Sequence, residues 1–140
     1  MDVYIRPEVK SDYDQIRQVN DLAYGRENEG MLIGMLRQHK DFTRAISLVA
    51  EYKGQPAGHI FLFPVRITGK ETTHESLALA LMAVLPEYQR EGIGACLVYA
   101  GLEAAKNMGH KSVVIMGHKE YYPRFGFEPT TKWNIRAPFN

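Results

Sequence analysis

The fold of this chain is decided by residues 77–108, which read LALALMAVLPEYQREGIGACLVYAGLEAAKNM. The apolar run at residues 77–84 is typical of a fully buried strand. A short turn containing Pro86 ends the run. Apolar residues then recur at helical spacing, at Ile93, Leu97, Gly101, Leu102, Ala105 and Met108. The stretch therefore predicts a strand, a glycine-bearing loop and a helix in succession.

A loop of this kind at the start of a helix favours the binding of an anion. The first N–H groups of a helix have no partner within it, and the helix dipole favours negative charge there. Gly92 and Gly94 carry no side chain that would block those amides. Both also tolerate the positive φ that a nest of amides requires. We therefore expect a phosphate group at this loop.

Spacing separates the three phosphate-binding loops that compete for this stretch. The P-loop pattern GxxxxGK[ST] does not occur in the chain. The dinucleotide pattern GxGxxG begins at Gly92 and Gly94 but has Leu97 at its third glycine position, and residues 116–118 hold no acidic residue for a ribose. The remaining pattern, [Q/R]-x-x-G-x-[G/A], is filled by Gln89, Gly92 and Gly94.

With this pattern the chain resembles the GNAT superfamily of acetyl-CoA-dependent N-acetyltransferases. A second element strengthens the resemblance, because residues 121–127 read YYPRFGF and contain the Y-x-x-x-G-F pattern of that superfamily at Tyr122, Gly126 and Phe127. The longer string GHKEYYPRFGF, residues 117–127, looks like a subgroup of predicted small-molecule acetyltransferases. Taken alone, Tyr122 also fits an amphipathic core residue with its hydroxyl at the rim.

The order of the predicted elements covers nearly the whole chain and matches the GNAT fold. Strands are predicted at residues 3–6, 45–52, 57–67, 77–84 and 112–116. Helices are predicted after an N-cap at Ser11 with Asp14 in the capping-box position, from Met31, from Ile93 and at residues 120–124. Turns are predicted at residues 53–56 and 68–76. The result is a single α/β (mixed α+β) domain, residues 1–140, with a mixed central sheet and helices on both faces.

Only residues 128–140 follow the GF element, whereas members of the superfamily usually continue through two strands. The final strand is therefore expected to be short, missing or supplied by a partner. An edge left open by a missing strand is a natural pairing site, so the sequence predicts a homodimer formed through this end.

Composition is that of an ordinary globular domain, with 45% hydrophobic and 24% charged residues among 140. Lys and Arg number 17 and Asp and Glu 16, and this net charge of +1 argues against a nucleic-acid partner. The chain has neither a membrane-length apolar stretch nor an apolar signal segment, so we expect a soluble, cytoplasmic protein. Cys96 is the only cysteine, which excludes an internal disulfide and favours a buried structural thiol.

The resemblance implies a site for acetyl-CoA as co-substrate. The backbone of Met82, Ala83 and Val84 would pair with the pantetheine arm, and one N–H there would polarise the thioester carbonyl. The amides of residues 90–95 would grip the pyrophosphate, with side-chain contacts from Gln89 and Arg90, although Arg90 also fits a solvated surface charge. The expected donor site therefore comprises Met82, Ala83, Val84, Gln89, Arg90, Glu91, Gly92, Ile93, Gly94 and Ala95.

Tyr122 is the expected general acid for the departing thiolate. A phenol with an ordinary pKa of about 10 stays protonated at neutral pH and can donate its proton. Candidates for the general base are His59, Glu51, His74, Glu75 and His118, each of which also fits a role without catalysis. The five histidines show no ligand spacing, so no metal is expected.

A primary amine, on a small molecule or a peptide, is the expected acceptor, and its pocket should involve the loop at residues 23–31. Glu27 and Glu29 in that loop would attract an ammonium group or would be solvated charges. The alternative function is an acyl-CoA-binding sensor or regulatory module without turnover.

Overall fold

A computed structural model describes residues 2–117 and 120–137 of the protein. Within these ranges the chain forms five strands and three α-helices. Their bounds are β1 Tyr4–Pro7, α1 Tyr13–Tyr24, α2 Asn28–Arg37, β2 Ile46–Tyr52, β3 Gln55–Thr68, β4 Thr73–Val84, α3 Ile93–Asn107 and β5 Val113–Val114. The predicted order is confirmed as far as β5. A single 3-10 turn at Tyr122–Phe125 replaces the short helix predicted at residues 120–124, and no strand follows it among the described residues.

The five strands form one mixed sheet in the order β1-β2-β3-β4-β5. The first four are antiparallel neighbours, whereas β4 and β5 are parallel. Pairing between β4 and β5 is limited to Leu77 with Val113 and Ala78 with Val114, so the strand predicted at residues 112–116 is reduced to two residues. From Leu79 onward, no described strand pairs with β4 on that side, and the sheet opens there.

Helices cover both faces of the sheet, as predicted. In β3, successive side chains point to opposite faces, so Phe61 and Phe63 contact the α1 and α2 side while Ile60 and Leu62 contact the α3 side. Each face holds its own hydrophobic cluster. The first cluster is built on Ile16, Ile33, Val49, Phe61, Phe63 and Leu81, and the second includes Ile60, Leu62, Leu79, Leu97 and Val98.

A β-bulge interrupts β4 at Ala80. Phe61 pairs with Leu81 and Leu62 pairs with Leu79, which leaves Ala80 without a partner in β3. The extra residue reverses the alternation of side chains, so that Leu79 faces α3 whereas Leu81 faces α1. Ala80 is exposed, and the prediction of a fully buried strand at residues 77–84 is wrong at this position.

Both predicted turns are shorter than expected. Only Lys53 and Gly54 connect β2 to β3, with φ of 53° and 77°, and a two-residue turn with positive φ matches the twist of the flanking strands. The polar segment at residues 68–76 holds a turn only between Thr68 and Thr73. Residues 73–76 continue the backbone ladder with β3, and residues 73–75 are exposed, where pairing needs no apolar side chain.

The start of α1 lies one residue later than predicted. Ser11 is exposed in a 3-10 turn at Lys10–Asp12, and Asp12 takes the N-cap position of the helix. The buried Asp12 carboxylate accepts hydrogen bonds from the Val9 amide at 2.8 Å and from both guanidinium nitrogens of Arg6 at 2.7 and 2.9 Å. A charged, bidentate pair is stronger than a serine hydroxyl bond, which explains why the carboxylate fixes this corner.

Helix α3 packs one face against the sheet through Ile93, Leu97 and Ala105. Cys96 lies off that face and is exposed, so the expectation of a buried thiol is wrong. Met108 is also exposed, because the helix ends at Asn107 before the apolar spacing reaches it.

Candidate functional site

A cleft of about 700 Å³ lies where the sheet opens between β4 and the residues that follow β5. One wall is the end of α1, with Ala23 and Tyr24, and the other is formed by Tyr121 and Tyr122. Eight of the ten predicted donor-site residues line it: Met82, Ala83, Val84, Gln89, Arg90, Gly92, Gly94 and Ala95. The other two do not, because Glu91 is exposed outside the cleft and Ile93 is buried in the core.

The loop before α3 has the backbone expected for a nest of amides. Gly92 is the N-cap of the helix with φ of 89°, and Arg90 adopts φ of 67°, which is uncommon for a residue with a side chain. The first helical hydrogen bond runs from the Cys96 amide to the Gly92 carbonyl at 3.1 Å. The amides of residues 93–95 precede that bond, so they have no partner within the helix.

Gly94 keeps the cleft open between β4 and the tyrosines. A Cβ atom at this position would lie 3.3 Å from the Met82 Cε atom and 3.3 Å from the Tyr121 hydroxyl oxygen. Both distances are shorter than an ordinary contact, so a side chain would fill the space between the two walls. The glycine therefore leaves room for a narrow, extended ligand.

Gln89 ties the loop to the strand before it. Its side-chain amide donates a hydrogen bond to the Val84 carbonyl at 3.0 Å. This contact fixes the distance between the end of β4 and the start of α3, a positioning role that the motif does not predict.

Tyr24 is a residue of the site that the sequence analysis missed. Its hydroxyl donates to the Met82 carbonyl at 3.1 Å and accepts from the Met82 amide at 3.3 Å. Burial raises the pKa of Tyr24. One signal was available: Ile16, Asn20 and Tyr24 are spaced by four residues on one face of α1, and that face packs on the sheet.

Tyr122 lies half-buried in the turn at Tyr122–Phe125. Its ring packs edge-on against Phe127 at 5.9 Å and against Tyr121 at 5.0 Å. Burial, together with the neighbouring Tyr121 and Tyr24, raises the pKa of Tyr122 to about 12. The phenol therefore keeps its proton across the physiological range.

Tyr121 also lines the cleft, and Arg124 holds its position. The Arg124 guanidinium lies 4.5 Å from the centre of the Tyr121 ring, and its Nε donates to the Tyr121 carbonyl at 2.9 Å. Arg124 and Arg90 both line the cleft, so it carries positive charge that suits an anionic ligand.

His59, a candidate base, is fully buried in a polar network between α1 and the sheet. Its Nδ1 accepts from the side-chain amide of Asn20 at 3.2 Å, which places its proton on Nε2, 2.8 Å from the Ser47 hydroxyl oxygen. Ser47 in turn donates to Glu8 at 2.7 Å, and Arg37 pairs with Glu8 at 2.8 Å. Burial, with a smaller effect of Arg37, lowers the pKa of His59 to about 3. A neutral imidazole with both nitrogens occupied is structural.

The other candidate bases lie away from the cleft. Glu51 is 3.4 Å from Arg6 and Glu75 is 3.1 Å from Arg44, and neither these nor His74 belong to the cleft lining. His118 lies outside the described residues.

The expected acceptor loop contributes Ala23 and Tyr24 to the cleft but neither of its glutamates. Glu29 forms an ion pair with Arg26, and Glu27 is exposed with its carboxylate 3.7 Å from Arg17. Within residues 2–117 and 120–137, no three His, Cys, Asp or Glu side chains come together to hold a metal ion. No helix in this part of the chain has the length and apolar character needed to cross a bilayer.

Comparison with known proteins gives a consistent result. The model of the acetyltransferase (GNAT) domain matches residues 4–130. The uncharacterized N-acetyltransferase YjhQ of Escherichia coli K12 is 39% identical over 120 residues, which cover 86% of this chain and 66% of YjhQ. The uncharacterized N-acetyltransferase YhbS of the same strain is 30% identical over 134 residues, 95% of this chain and 78% of YhbS. The chain thus spans about two thirds of YjhQ.

Solved structures agree with these relatives. A GNAT family acetyltransferase from Brucella melitensis in complex with acetyl-CoA has a TM-score of 0.84 and 38% identity, over 91% of this chain and 84% of that one. Escherichia coli YhbS in complex with CoA has a TM-score of 0.84 and 29% identity, over 93% of this chain and 71% of YhbS. The aminoglycoside acetyltransferase AAC(6')-Iy, at 18% identity and a TM-score of 0.73, shares the fold.

Proposed function

Because this chain belongs to the GNAT acetyltransferase family, we propose that it transfers the acetyl group of acetyl-CoA to a primary amine by direct attack. One observation carries the proposal. The cleft joins three features that this reaction needs: unpartnered amides at the start of α3, an open edge of β4 and the protonated hydroxyl of Tyr122. Two solved relatives hold acetyl-CoA or CoA, which supports the same donor here.

The residues of the cleft fit a long anionic donor. The amides before the first bond of α3 would accept the pyrophosphate, and the guanidinium groups of Arg90 and Arg124 add positive charge beside them. The backbone of Met82–Val84 would pair with the pantetheine arm, for which the missing side chain of Gly94 leaves room.

Acetyl transfer forms a C–N bond and breaks the C–S bond of the thioester. A backbone N–H of β4 would stabilise the negative charge that develops on the carbonyl oxygen. Tyr122 would donate its proton to the departing thiolate, because its raised pKa keeps the phenol protonated at neutral pH. The acceptor amine would approach from the wall that Ala23 and Tyr24 form at the end of α1. Small molecules or peptides with a primary amine would be the acceptors, in the cytoplasm.

We also propose that two copies associate through the free edge of β5. No described strand pairs with β5 on the side opposite β4. A groove of about 340 Å³ beside it is lined by Leu102, Val113 and Phe127 and also by polar residues that include Lys106, His110 and Lys111. A strand of a second copy would satisfy the backbone groups of that edge and cover these side chains.

The function is tested by mixing the purified protein with acetyl-CoA and a panel of primary amines and measuring free thiol. Thiol release that depends on an amine and exceeds hydrolysis without amine is the expected result. Tight binding of acetyl-CoA without release for any amine would favour the second function, an acyl-CoA-binding sensor or regulatory module. No binding of acetyl-CoA would contradict both.

A further inference from the structure

We propose that the hydroxyl of Tyr24 occupies the backbone groups of Met82 in the free protein and competes with the donor for them. The inference rests on the proposed function, because the competing ligand is acetyl-CoA. It adds a residue of α1 to a site whose other parts belong to the sheet, to α3 and to the segment after β5.

The geometry at Met82 is a bridge by a single atom. The Tyr24 hydroxyl oxygen lies 3.1 Å from the Met82 carbonyl oxygen and 3.3 Å from the Met82 nitrogen, so it engages both backbone groups of one residue. In an antiparallel pair, alternate residues direct both groups away from the neighbouring strand. Met82 is such a residue, since it pairs in register with Ile60 of β3 yet presents both groups to the cleft.

A ligand that pairs with this edge in the manner of a strand needs the same two groups. One N–H has one hydrogen, and it cannot make a full hydrogen bond to two acceptors. The Tyr24 hydroxyl and an extended arm therefore exclude each other at Met82. Binding of the donor would require the hydroxyl to leave.

The structure allows that exchange without displacement of the helix. Asn20, one turn earlier on the same face of α1, is fully buried and donates to the Ile16 carbonyl at 2.9 Å and to His59 at 3.2 Å. The first bond fixes the Asn20 side chain on α1, and the second anchors the body of the helix to β3. Tyr24 is the last residue of α1, followed by Gly25 with φ of 70°, and 37% of its surface is exposed. Rotation of one side chain is sufficient to free Met82.

Competition predicts a gain of affinity when the hydroxyl is removed. Tyr24→Phe keeps the ring and its packing but leaves Met82 free for the donor. Calorimetric titration of the full chain with acetyl-CoA should give a dissociation constant about threefold to tenfold lower than that of the wild type, the range expected for one neutral hydrogen bond. Tyr4→Phe, an exposed tyrosine on β1 at the far edge of the sheet, is the matched control and should not change it.

The outcomes separate this inference from the proposed function. A wild type that fails to bind acetyl-CoA would overturn both. A wild type that binds, with unchanged or weaker affinity in Tyr24→Phe at an unchanged melting temperature, would overturn the competition alone. A second variant, Tyr24→Leu, also lacks the hydroxyl and should bind more tightly than the wild type. The affinity of Tyr24→Leu for acetyl-CoA tests the inference if Tyr24→Phe folds poorly.

Discussion

The side-chain amide of Asn20 donates a hydrogen bond to Nδ1 of His59, and both residues are fully buried. This contact joins α1 to β3 and determines which imidazole nitrogen carries the proton. The other nitrogen donates to Ser47, which in turn is bonded to Glu8. The network is uncharged at His59 and ends at an ion pair between Glu8 and Arg37.

Stability should fall in mild acid because of His59. Its pKa is about 3 in the folded protein and about 6.5 in an unfolded chain, so the unfolded state binds the extra proton between these values. The stabilisation is complete above about pH 6.5 and is lost as the pH falls, by up to about 1.4 kcal/mol per pH unit. Urea unfolding at pH 7, 6 and 5 measures the slope. His59→Gln should flatten it, whereas His74→Gln, on the exposed start of β4, should not.

Asp12→Asn should destabilise the protein by about 1–3 kcal/mol, the value of hydrogen bonds to a charged group. The carboxylate accepts from Arg6 and from the Val9 amide, and Arg6 would keep its charge without a full partner. The bond to Arg6 lowers the pKa of Asp12, so its contribution is complete above the ordinary carboxylate range and is lost only in stronger acid. Ser11→Ala is the control and should change the unfolding free energy by less than about 0.5 kcal/mol. A larger loss of unfolding free energy in Ser11→Ala would show that the Ser11 hydroxyl caps the helix.

Gly94→Ala should weaken acetyl-CoA binding by about tenfold or more, because the added Cβ enters the cleft. The protein should stay folded, because alanine favours a helix more than glycine does. Gly34→Ala is the matched control, since nothing lies within 4 Å of the added Cβ on the surface of α2. It should raise the melting temperature and leave binding unchanged. If Gly94→Ala and Gly34→Ala bound acetyl-CoA with equal affinity, the assignment of Gly94 to the donor site would be wrong.

Tyr122→Phe should lower kcat by about 10²-fold or more and leave the affinity for acetyl-CoA nearly intact. Tyr99→Phe, an exposed tyrosine of α3, is the control. The pKa of about 12 adds a second check, because the wild-type rate should not decline between pH 9 and 11 through loss of the Tyr122 proton. An unchanged kcat in Tyr122→Phe would rule out the general acid.

Sedimentation should detect a dimer at micromolar concentration if the free edge of β5 pairs with a second copy. Val114→Pro removes a backbone N–H from that strand and should shift the equilibrium toward monomer. A wild type that sediments as a monomer would contradict the proposed association.

The sequence predicted the parts of the site that depend on local spacing. Gly92, Gly94 and the strand before them form a continuous motif, and their geometry follows from the conformational freedom of glycine and the unpaired amides of a helix start. The contact of Tyr24 with Met82 spans 58 residues and that of Asn20 with His59 spans 39. Such contacts depend on how α1 packs across the sheet, and no local sequence pattern predicts that packing.

Errors at individual residues have the same origin. Ser11 fits the N-cap pattern, but Asp12 occupies the N-cap position, where its carboxylate is bonded to Arg6 rather than to a helix amide. Cys96 belongs to an apolar stretch, yet only three-dimensional packing shows that Val98, and not Cys96, joins Leu97 on the core side of α3.

The bulge at Ala80 decides which residue offers its backbone to the cleft. Before it, odd-numbered residues such as Leu79 face α3; after it, even-numbered residues such as Met82 do. If Ala80 paired regularly with β3 instead of forming the bulge, it would lie opposite Phe61, and Leu81 rather than Met82 would lie opposite Ile60. Leu81 would then take the place of Met82 at the opening, and the wall facing Tyr24 would present a different peptide. The site therefore depends on the position of the bulge in β4 as much as on the identities of its side chains.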